Sequence, residues 1–266
     1  MFSPDVVTLR QFYATRFGVA ARALITASLK NLWPGAKGDV MLGIGYALPY
    51  LEPYLDQAAS VMVCMPAQQG AAAWPPCAEA SGDGPDSRSL GVGSRGNVVF
   101  MSHESELPLP ENSVNRILLL HSVEHSEQLA GMMDEIWRIL TPGGRVLAIV
   151  SNRMGLWARS SRTPFGYGRP FSMSQLRDLM TVHQFTLTRS TSALFIPPMR
   201  LRLLWRLARH IETVGKFLCP FIGGVLLVEA EKQLYASIRQ PVSIRKTYRV
   251  QIPAVKPAMG LKRESS

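Results

Sequence analysis

The chain has 266 residues, of which 47% are hydrophobic and 18% are charged, and its formal net charge is +10 at pH 7. This composition is typical of a folded protein with a sizeable core, in one large α/β domain or two small ones, and it argues against overall disorder. No apolar run reaches the roughly 18–20 residues of a membrane span, and Cys64, Cys77 and Cys219 have neither metal-ligand nor disulfide spacing, so we expect a cytoplasmic protein.

The first 30 residues contain spaced arginines, several hydroxyl residues and a single acid, Asp5. That composition resembles an organellar presequence. The apolar residues, including Val6, Leu9 and Phe12, also follow helical spacing. We favour a structural helix over residues 5–31.

The next segments alternate between strand and helix patterns. Strands are predicted at 39–43, 59–64, 98–101, 115–121, 145–150 and 185–195 and at "GGVLLVEA", and helices at 48–57, 126–139, from Ser172 and at 199–218. Ser172 and Gln175 form a capping box at one helix start. The Gly/Ser/Pro-rich stretch 66–97 is predicted to be a loop or insertion. Apolar strands separated by helices predict a mostly parallel, doubly wound sheet with helices on both faces.

Positive charge is concentrated at the end of the chain. From Lys232 onward, eight Lys and Arg residues stand against one Glu. We predict a folded domain over residues 1–232 and a basic, poorly ordered tail over 233–266. A solvated tail is favoured over a nucleic-acid-binding arm, because no nucleic-acid-binding motif accompanies it.

A glycine pair follows the first predicted strand. In "GDVMLGIGYALPYLEP", Gly43 and Gly45 lie between the strand and the next helix. Glycine permits a tight turn and lets a ligand approach the backbone closely at the carboxyl end of a strand. A tight strand-to-helix turn also requires glycine without any ligand, so both interpretations stay open.

A longer segment carries a family resemblance. "LPLPENSVNRILL", "VEH" and "EIWRILTPGG" occur in order between Leu107 and Val150. Together with "LGIGYALPYL", they resemble the core of class I S-adenosylmethionine-dependent methyltransferases (methyltransferase type 11-like), over about Val40 to Val150. Flanking segments resemble an uncharacterised bacterial subgroup. The resemblance implies a Rossmann-like, seven-stranded sheet with an antiparallel last strand, a cofactor half at 38–150 and a substrate-side half at 151–230.

The resemblance also implies a set of cofactor-binding residues for S-adenosylmethionine. The glycine segment would approach the methionine part of the cofactor, the end of the second strand would lie by the ribose and adenine, the segment after the third strand would border the adenine, and the end of the fourth strand, with Ser122, would lie beneath the sulfonium. The residues are Gly43, Ile44, Gly45, Tyr46, Ala47, Met65, Pro66, His103, Glu104, Ser105 and His121.

The chain departs from the family at three acidic positions. Met41 stands where an acid usually precedes the first glycine, the second strand ends without an acid, and His103 stands where an Asp is frequent. A buried ribose hydroxyl without an acceptor costs roughly 1–3 kcal/mol. Gln68, Gln69 or backbone carbonyls are the available substitutes.

Methyl transfer depends mainly on alignment, but an oxygen or nitrogen acceptor also needs a base. The candidate catalytic residues are His121, Glu124, His125 and Tyr167. The spacing in "HSVEH" differs from the His-Glu-x-x-His zinc motif, so no metal is expected. Glu124 and His125 are interpreted first as capping or orienting the following helix, and second as a base.

Two later segments have alternative interpretations. In "TPFGYGRPFS", residues 163–172, Tyr167 and Arg169 are candidates for binding the acceptor, Arg169 suiting a carboxylate or phosphate. A tight loop without ligand contacts is the alternative. The basic helix at 199–212 is suited either to an anionic membrane surface or to core packing with a solvated basic face.

The sequence therefore predicts an S-adenosylmethionine-dependent methyltransferase that acts on a small-molecule or lipid-like acceptor. The alternative hypothesis is a non-catalytic, methyltransferase-like binding or regulatory protein that has lost the acidic cofactor anchors.

Overall fold

A central β-sheet organises the protein. The computed structural model describes residues 4–71, 98–198, 212–215 and 222–233. In these residues the strands are β1 (Val40–Gly45), β2 (Ser60–Pro66), β3 (Val98–Ser102), β4 (Val114–Leu120), β5 (Leu140–Ser151), β6 (Phe185–Ala193) and β7 (Val225–Lys232). They form a seven-stranded sheet in the order β3-β2-β1-β4-β5-β7-β6.

The strand directions match the sequence prediction. β1 to β5 run parallel to one another, whereas β7 lies antiparallel between β5 and β6. The mostly parallel sheet and its antiparallel last strand are therefore confirmed. The carboxyl ends of the parallel strands meet at one edge, where doubly wound sheets bind ligands.

Helices cover both faces of the sheet, as predicted. They are α1 (Val6–Ala14), α2 (Arg16–Leu32), α3 (Leu48–Leu51), α4 (Leu129–Ile139) and α5 (Met173–Val182). The first three contribute to one apolar core, which includes Leu9, Ile25 and Leu51. The last two contribute to the other, which includes Met133 and Leu176.

The predicted single helix at 5–31 is wrong, because the chain forms two helices that meet at Thr15. Thr15 has extended backbone angles (φ −70°, ψ 153°) and ends α1 while capping α2. Its hydroxyl donates to the Phe12 carbonyl at 2.6 Å and accepts from the Gly18 amide at 2.9 Å. Threonine is a good N-cap because its side chain satisfies a free amide of the first turn.

The predicted helix at 48–57 is also shorter than expected. It consists of α3 and a 3₁₀ turn at Glu52–Tyr54. Pro53 has no amide hydrogen to donate and its ring disfavours a continuous α-helix, which explains the early end. The predicted capping box of Ser172 and Gln175 is confirmed at the start of α5.

Three further boundaries differ from the predictions. β1 continues through Gly45 rather than ending at residue 43, and α4 begins at Leu129 rather than at residue 126. β5 begins at Leu140 instead of residue 145, and its pairing with β4 shifts register between Val114 and Arg116. Gly143 has a positive φ of 73°, which glycine adopts readily.

Three predicted features lie outside the described residues: most of the 66–97 insertion, nearly all of the basic helix at 199–212, and the tail after Gln233. Within the described ranges, no helix combines the length and the apolar character needed to cross a bilayer.

Candidate functional site

A small cavity of about 40 Å³ lies at the edge of the sheet where the parallel strands end. Its walls are the turn after β2 (66–69), the end of β3 (102–104) and four residues of the turn after β4: His121, Ser122, His125 and Glu127. Because these segments follow neighbouring parallel strands, the sheet brings together residues that are distant in the sequence.

Buried polar atoms without partners are concentrated at this cavity. In the described part of the chain, seven buried side-chain nitrogen or oxygen atoms have no hydrogen-bond partner. Six of them belong to residues 69 and 121–125: Gln69 Oε1, His121 Nδ1, Ser122 Oγ, Glu124 Oε2 and both ring nitrogens of His125. An unpaired buried polar group costs about 1–3 kcal/mol. The cluster therefore has unused capacity for a polar ligand.

The side chain of Gln69 has one satisfied end and one free end. Its Nε2 donates to the backbone carbonyl of His121. A carbonyl only accepts, so this contact fixes which end of the amide is nitrogen. The remaining atom, Oε1, is a buried acceptor that has no donor among the described residues.

The contacts of His121 define its protonation. The Tyr50 hydroxyl donates to the Tyr13 hydroxyl at 3.3 Å, and the Tyr13 oxygen lies 2.9 Å from His121 Nε2. Because the Tyr13 oxygen accepts from Tyr50, we assign the Tyr13 proton to His121 Nε2. The single proton of a neutral imidazole is then on Nδ1, which is a buried donor without an acceptor.

His121 also has an unusual backbone. Its φ is +52°, a left-handed conformation uncommon in residues other than glycine. This residue directly follows β4. Strained residues at strand ends are frequent at binding sites, where the surrounding structure holds them in place.

Burial shifts the pKa values of His121, Glu124 and His125 in the turn after β4. It lowers the pKa of His121 to about 3, with a further contribution from His125, and lowers the pKa of His125 to about 4. Burial raises the pKa of Glu124 to about 7, against the opposing effect of hydrogen bonds from Ser151. Near neutral pH both imidazoles are therefore uncharged, and Glu124 is close to its titration midpoint.

Glu124 does not cap the following helix, so the capping part of the first interpretation is wrong, while an orienting role stays a prediction. Its Oε1 accepts from the backbone amide of Ser151 at 2.8 Å and from the Ser151 hydroxyl at 3.3 Å. α4 begins only at Leu129, and its N-cap residue, Gln128, makes no side-chain cap bond. Glu124 instead joins the turn after β4 to the end of β5.

The glycine segment is explained by packing within the protein. A Cβ atom at Gly43 would lie 2.7 Å from Ala47 Cβ and from Leu51 Cδ1. A Cβ atom at Gly45, whose φ is +82°, would lie 2.3 Å from the carbonyl oxygen of Leu120. None of residues 43–47 lines the cavity. Their predicted contact with a cofactor stays a prediction.

Gly45→Ala is expected to destabilise the fold whether or not a ligand binds. The added methyl group would strain a left-handed residue and press against β4, and we expect a loss of about 2 kcal/mol. Urea unfolding measures this loss, with Gly38→Ala as the control, because Gly38 also has a positive φ but has open space around its Cβ position. Equal losses in the two variants would contradict a close contact between Gly45 and β4.

The cavity includes some of the predicted cofactor residues and not others. Pro66, His103, Glu104 and His121 line it, whereas Met65 and Ser105 do not. Met65 is fully buried in the apolar core. Sequence reasoning missed Glu127, because the helix predicted from residue 126 placed it on an ordinary helical surface.

The family's acidic positions have a different structural setting in this chain. Met41 is fully buried in the core that contacts α1–α3. Two other acids are at the cavity instead: Glu104, whose Oε1 accepts from the Ser126 hydroxyl, and the exposed Glu127. Among the described residues, no group of three His, Cys, Asp or Glu side chains is arranged to hold a metal ion.

Tyr167 and Arg169 lie outside this cavity. The Tyr167 hydroxyl donates to the Ser161 carbonyl at 2.8 Å, and the Arg169 side chain is exposed. Between them, Gly168 packs against His125, since a Cβ atom there would lie 2.7 Å from the ring. The 163–172 loop therefore covers one side of the turn after β4.

Comparison with known proteins agrees with this fold. A family model described as a methyltransferase domain matches residues 77–148. The match includes β3, β4 and α4 but does not reach the glycine segment. No curated protein sequence matches the chain.

Solved structures share the fold over most of the chain. A Thermotoga maritima SAM-dependent methyltransferase, described as a possible histamine N-methyltransferase, has a TM-score of 0.57 at 16% identity, over 86% of this chain and 96% of its own. The 1,6-didemethyltoxoflavin-N1-methyltransferase of Burkholderia thailandensis, solved with bound 1,6-didemethyltoxoflavin and S-adenosylhomocysteine, has a TM-score of 0.50 at 18% identity, over 80% of this chain and 78% of its own. The [4+2]-cyclase SpnF has a TM-score of 0.53 at 17% identity, over 79% of this chain and 80% of its own.

At these identities the likeness shows the fold and not the reaction, and the cyclase illustrates the difference. Residues 77–148 therefore match a methyltransferase domain model, and the described residues have the fold of solved class I methyltransferases.

Proposed function

We propose that this chain, whose methyltransferase domain has the class I fold, binds S-adenosylmethionine and transfers its methyl group to a small-molecule or lipid-like acceptor. The observation that carries the proposal is the cluster of unpaired buried polar atoms beside the cavity at the ends of β2, β3 and β4. In sheets of this type that edge is the ligand-binding edge.

The chemistry of the cavity suits a nucleoside with vicinal hydroxyls. Gln69 Oε1 is a free acceptor, His121 Nδ1 is a free donor, and Ser122 Oγ can act as either. A hydroxyl group both donates and accepts, so it can pair with any of them. Gln69 thereby substitutes for the acid that is absent from the end of β2.

The acids at the cavity also suit a cationic cofactor. Glu104 and Glu127 line it, and a carboxylate stabilises a nearby positive charge. We assign Pro66, His103, Glu104 and His121 to the cofactor site. We also propose that three further parts of the chain contact the cofactor at the margins of the site, as the sequence predicts. They are the glycine segment, Met65 and Ser105.

When bound, the cofactor would supply a sulfonium methyl group for transfer to the acceptor, and S-adenosylhomocysteine would be the leaving group. The protein then has to align the acceptor and remove its proton if the acceptor is an oxygen or nitrogen. His125 fits the proton acceptor, because its ring is uncharged near neutral pH and neither nitrogen has a partner. We assign Glu124 a positioning role through Ser151, and its Oε2 has no partner among the described residues.

An apolar region supports a lipid-like acceptor. A second cavity, of about 230 Å³, lies at the end of β5 and is lined by Met154, Met173 and Leu226, together with hydroxyl residues such as Ser192. Met154 and the nearby Leu156 are 61% and 47% exposed. We assign Tyr167 and Arg169, in the loop beside this region, to acceptor binding. The proposed membrane contact of the basic helix concerns residues outside the described ranges.

A second candidate function has one observation in its favour. The cavity volume of about 40 Å³ is far below the roughly 300 Å³ or more of small-molecule sites. In addition, side chains and backbone of the protein itself fill the space beside Gly43 and Gly45. A non-catalytic binding or regulatory protein on a methyltransferase scaffold fits these facts without any further movement.

Calorimetry with S-adenosylhomocysteine tests the proposal. We expect micromolar binding by the full chain and about tenfold weaker binding by Gln69→Leu, because the ligand hydroxyl loses its acceptor. Gln57→Leu is the matched control, since this exposed amide bonds to the Pro53 carbonyl away from the cavity.

Two results would count against the proposal. Equal affinities of the Gln69 and Gln57 variants would remove the assigned role of Gln69. An absence of binding up to millimolar ligand, in a protein that melts cooperatively, would favour the non-catalytic candidate.

A further inference from the structure

We propose that Tyr13 keeps the ligand site closed: the last turn of α1 holds His121, which lines the cavity, and a ligand binds when this turn moves about Thr15 and releases His121. The inference rests on the proposed function and concerns how that same site is regulated.

The cavity is too small for a nucleoside-sized ligand. A cavity of about 40 Å³ admits one or two water molecules, whereas small-molecule sites require about 300 Å³ or more. A nucleoside-sized ligand therefore enters only if a wall residue moves. The unpaired atoms of Gln69, His121 and Ser122 show where the additional polar contacts would form.

Tyr13 contacts both His121 and Tyr46. Its hydroxyl contacts His121 Nε2 at 2.9 Å, and its ring stacks on the Tyr46 ring with a centroid distance of 5.5 Å and an angle of 12°. Tyr46 in turn donates its backbone amide to the Leu120 carbonyl at 3.0 Å. Tyr13 thus lies directly over the ends of β1 and β4, and it is only 7% exposed.

A ligand can replace the contact between Tyr13 and His121. Burial raises the pKa of Tyr13 well above its usual value, so the phenol stays protonated and acts towards His121 as a neutral donor. A ligand hydroxyl or amino group offers the same kind of donor. The imidazole would keep its tautomer when one donor is exchanged for the other, so the exchange leaves no new unpaired atom on the ring.

The α1 backbone has few hydrogen bonds to the rest of the described chain. Outside its own helical bonds and caps, the α1 backbone is held to the rest of the described chain by one hydrogen bond, from the Val6 amide to the Gln69 carbonyl at 2.8 Å. Thr15, with its extended backbone, separates α1 from α2. The buried face of α2, which includes Ala21, Ile25 and Leu29, stays in the core.

The other side of the turn after β4 is held more firmly. There the Arg169 amide donates to the Glu124 carbonyl, and the Phe171 amide donates to the Ser151 carbonyl, each at 2.9 Å. The Arg153 amide also donates to the Phe171 carbonyl at 2.9 Å. Opening from this side would break several backbone hydrogen bonds, whereas movement of the last turn of α1 breaks the Tyr13 side-chain contacts with His121 and Tyr50 and uncovers part of the buried face of α1.

The test measures S-adenosylhomocysteine binding by calorimetry and its association rate by stopped flow, in the full chain and in Tyr13→Phe and Tyr13→Ala. Removing the hydroxyl weakens the closed state by about one hydrogen bond, so we expect Tyr13→Phe to bind about fivefold more tightly and to associate faster. Tyr13→Ala should show at least as large a gain. Tyr54→Phe is the matched control, because this buried hydroxyl bonds to the Trp33 carbonyl instead.

Each result bears on the proposal. Tighter and faster binding in the Tyr13 variants supports closure, as does binding that occurs only in those variants. Weaker or unchanged binding in Tyr13→Phe, with an intact wild-type affinity, overturns closure and leaves the proposed function standing. No binding by any of the folded proteins overturns both. Thermal melting of each variant verifies folding, and Tyr13→Phe provides the test if Tyr13→Ala does not fold.

Discussion

Glu229→Ala is expected to lower the free energy of unfolding by about 4 kcal/mol. The Glu229 carboxylate is fully buried on β7 and accepts from Trp33 Nε1 at 2.9 Å, Arg189 Nε at 2.9 Å and Thr188 Oγ1 at 3.0 Å. Removing one partner of a buried ionic network costs about 3–5 kcal/mol, because the remaining groups lose their acceptor. Arg189 is partly exposed and can recover some hydration, whereas Trp33 cannot.

Urea unfolding measures this effect, and Glu231→Ala is the matched control. Glu231 is on the same strand but only partly buried, so its loss should change stability by less than about 0.5 kcal/mol. Glu229→Gln should fall between the two, since the amide oxygen still accepts from Trp33. Similar unfolding midpoints for Glu229→Ala and Glu231→Ala would contradict the importance of the network.

The Glu229 network also connects the sheet to the end of α2, the helix that follows α1. Trp33 follows α2 directly, and Arg189 Nη2 donates to the Leu32 carbonyl at 2.9 Å. The end of α2 is therefore attached to β6 and β7. This attachment holds α2 in place, which is a condition for the proposed movement of α1 alone.

The sequence predicted the sheet well because its strands are apolar and its turns contain clear signals. The run at 115–121 has four consecutive apolar residues at 117–120, and β4 occupies Val114–Leu120. The break at Thr15 was not predicted, because the apolar spacing continues across it. Only the contacts of the Thr15 hydroxyl with Phe12 and Gly18 identify it as a cap.

The candidate site was predicted in part. The resemblance identified His121, His103 and Glu104, which line the cavity. The glycine segment was a weaker guide, because the requirement for glycine at residue 45 comes from the Leu120 carbonyl, a contact between strands that no local pattern reveals. The location of Tyr13 beside His121 joins residues 108 positions apart, and such a long-range contact depends on the packing of α1.

The balance between the two candidate functions depends on the closed cavity. A catalytic protein needs the cavity to open, and a non-catalytic scaffold does not. The unpaired atoms favour opening, since a scaffold under no demand to bind would gain stability by replacing His125 or Gln69 with apolar residues. The binding measurements with the Gln69 and Tyr13 variants therefore address function and regulation separately.

Glu124→Gln is expected to remove the part of the pH dependence of stability that comes from Glu124. Burial raises the pKa of Glu124 from 4.5 to about 7, so between these values the folded protein binds more protons than the unfolded chain. The contribution of Glu124 to the free energy of unfolding is therefore fully present below about pH 4.5 and is lost as pH rises through 7. A shift of this size corresponds to on the order of 3 kcal/mol. His121 and His125 act in the opposite direction, because their lowered pKa values remove stability as pH falls below 6.5.

Urea unfolding between pH 4.5 and pH 8 measures this effect as the difference in unfolding free energy between Glu124→Gln and the wild type. Glutamine keeps an acceptor for Ser151 but carries no charge, so the variant should gain on the order of 3 kcal/mol relative to the wild type across this range. The histidine contributions are common to both proteins and cancel. Glu111→Gln, at an exposed position, should show no such trend. A difference that stays constant with pH would mean that Glu124 does not titrate in the buried cluster, and it would remove the basis for its proposed role beside His125.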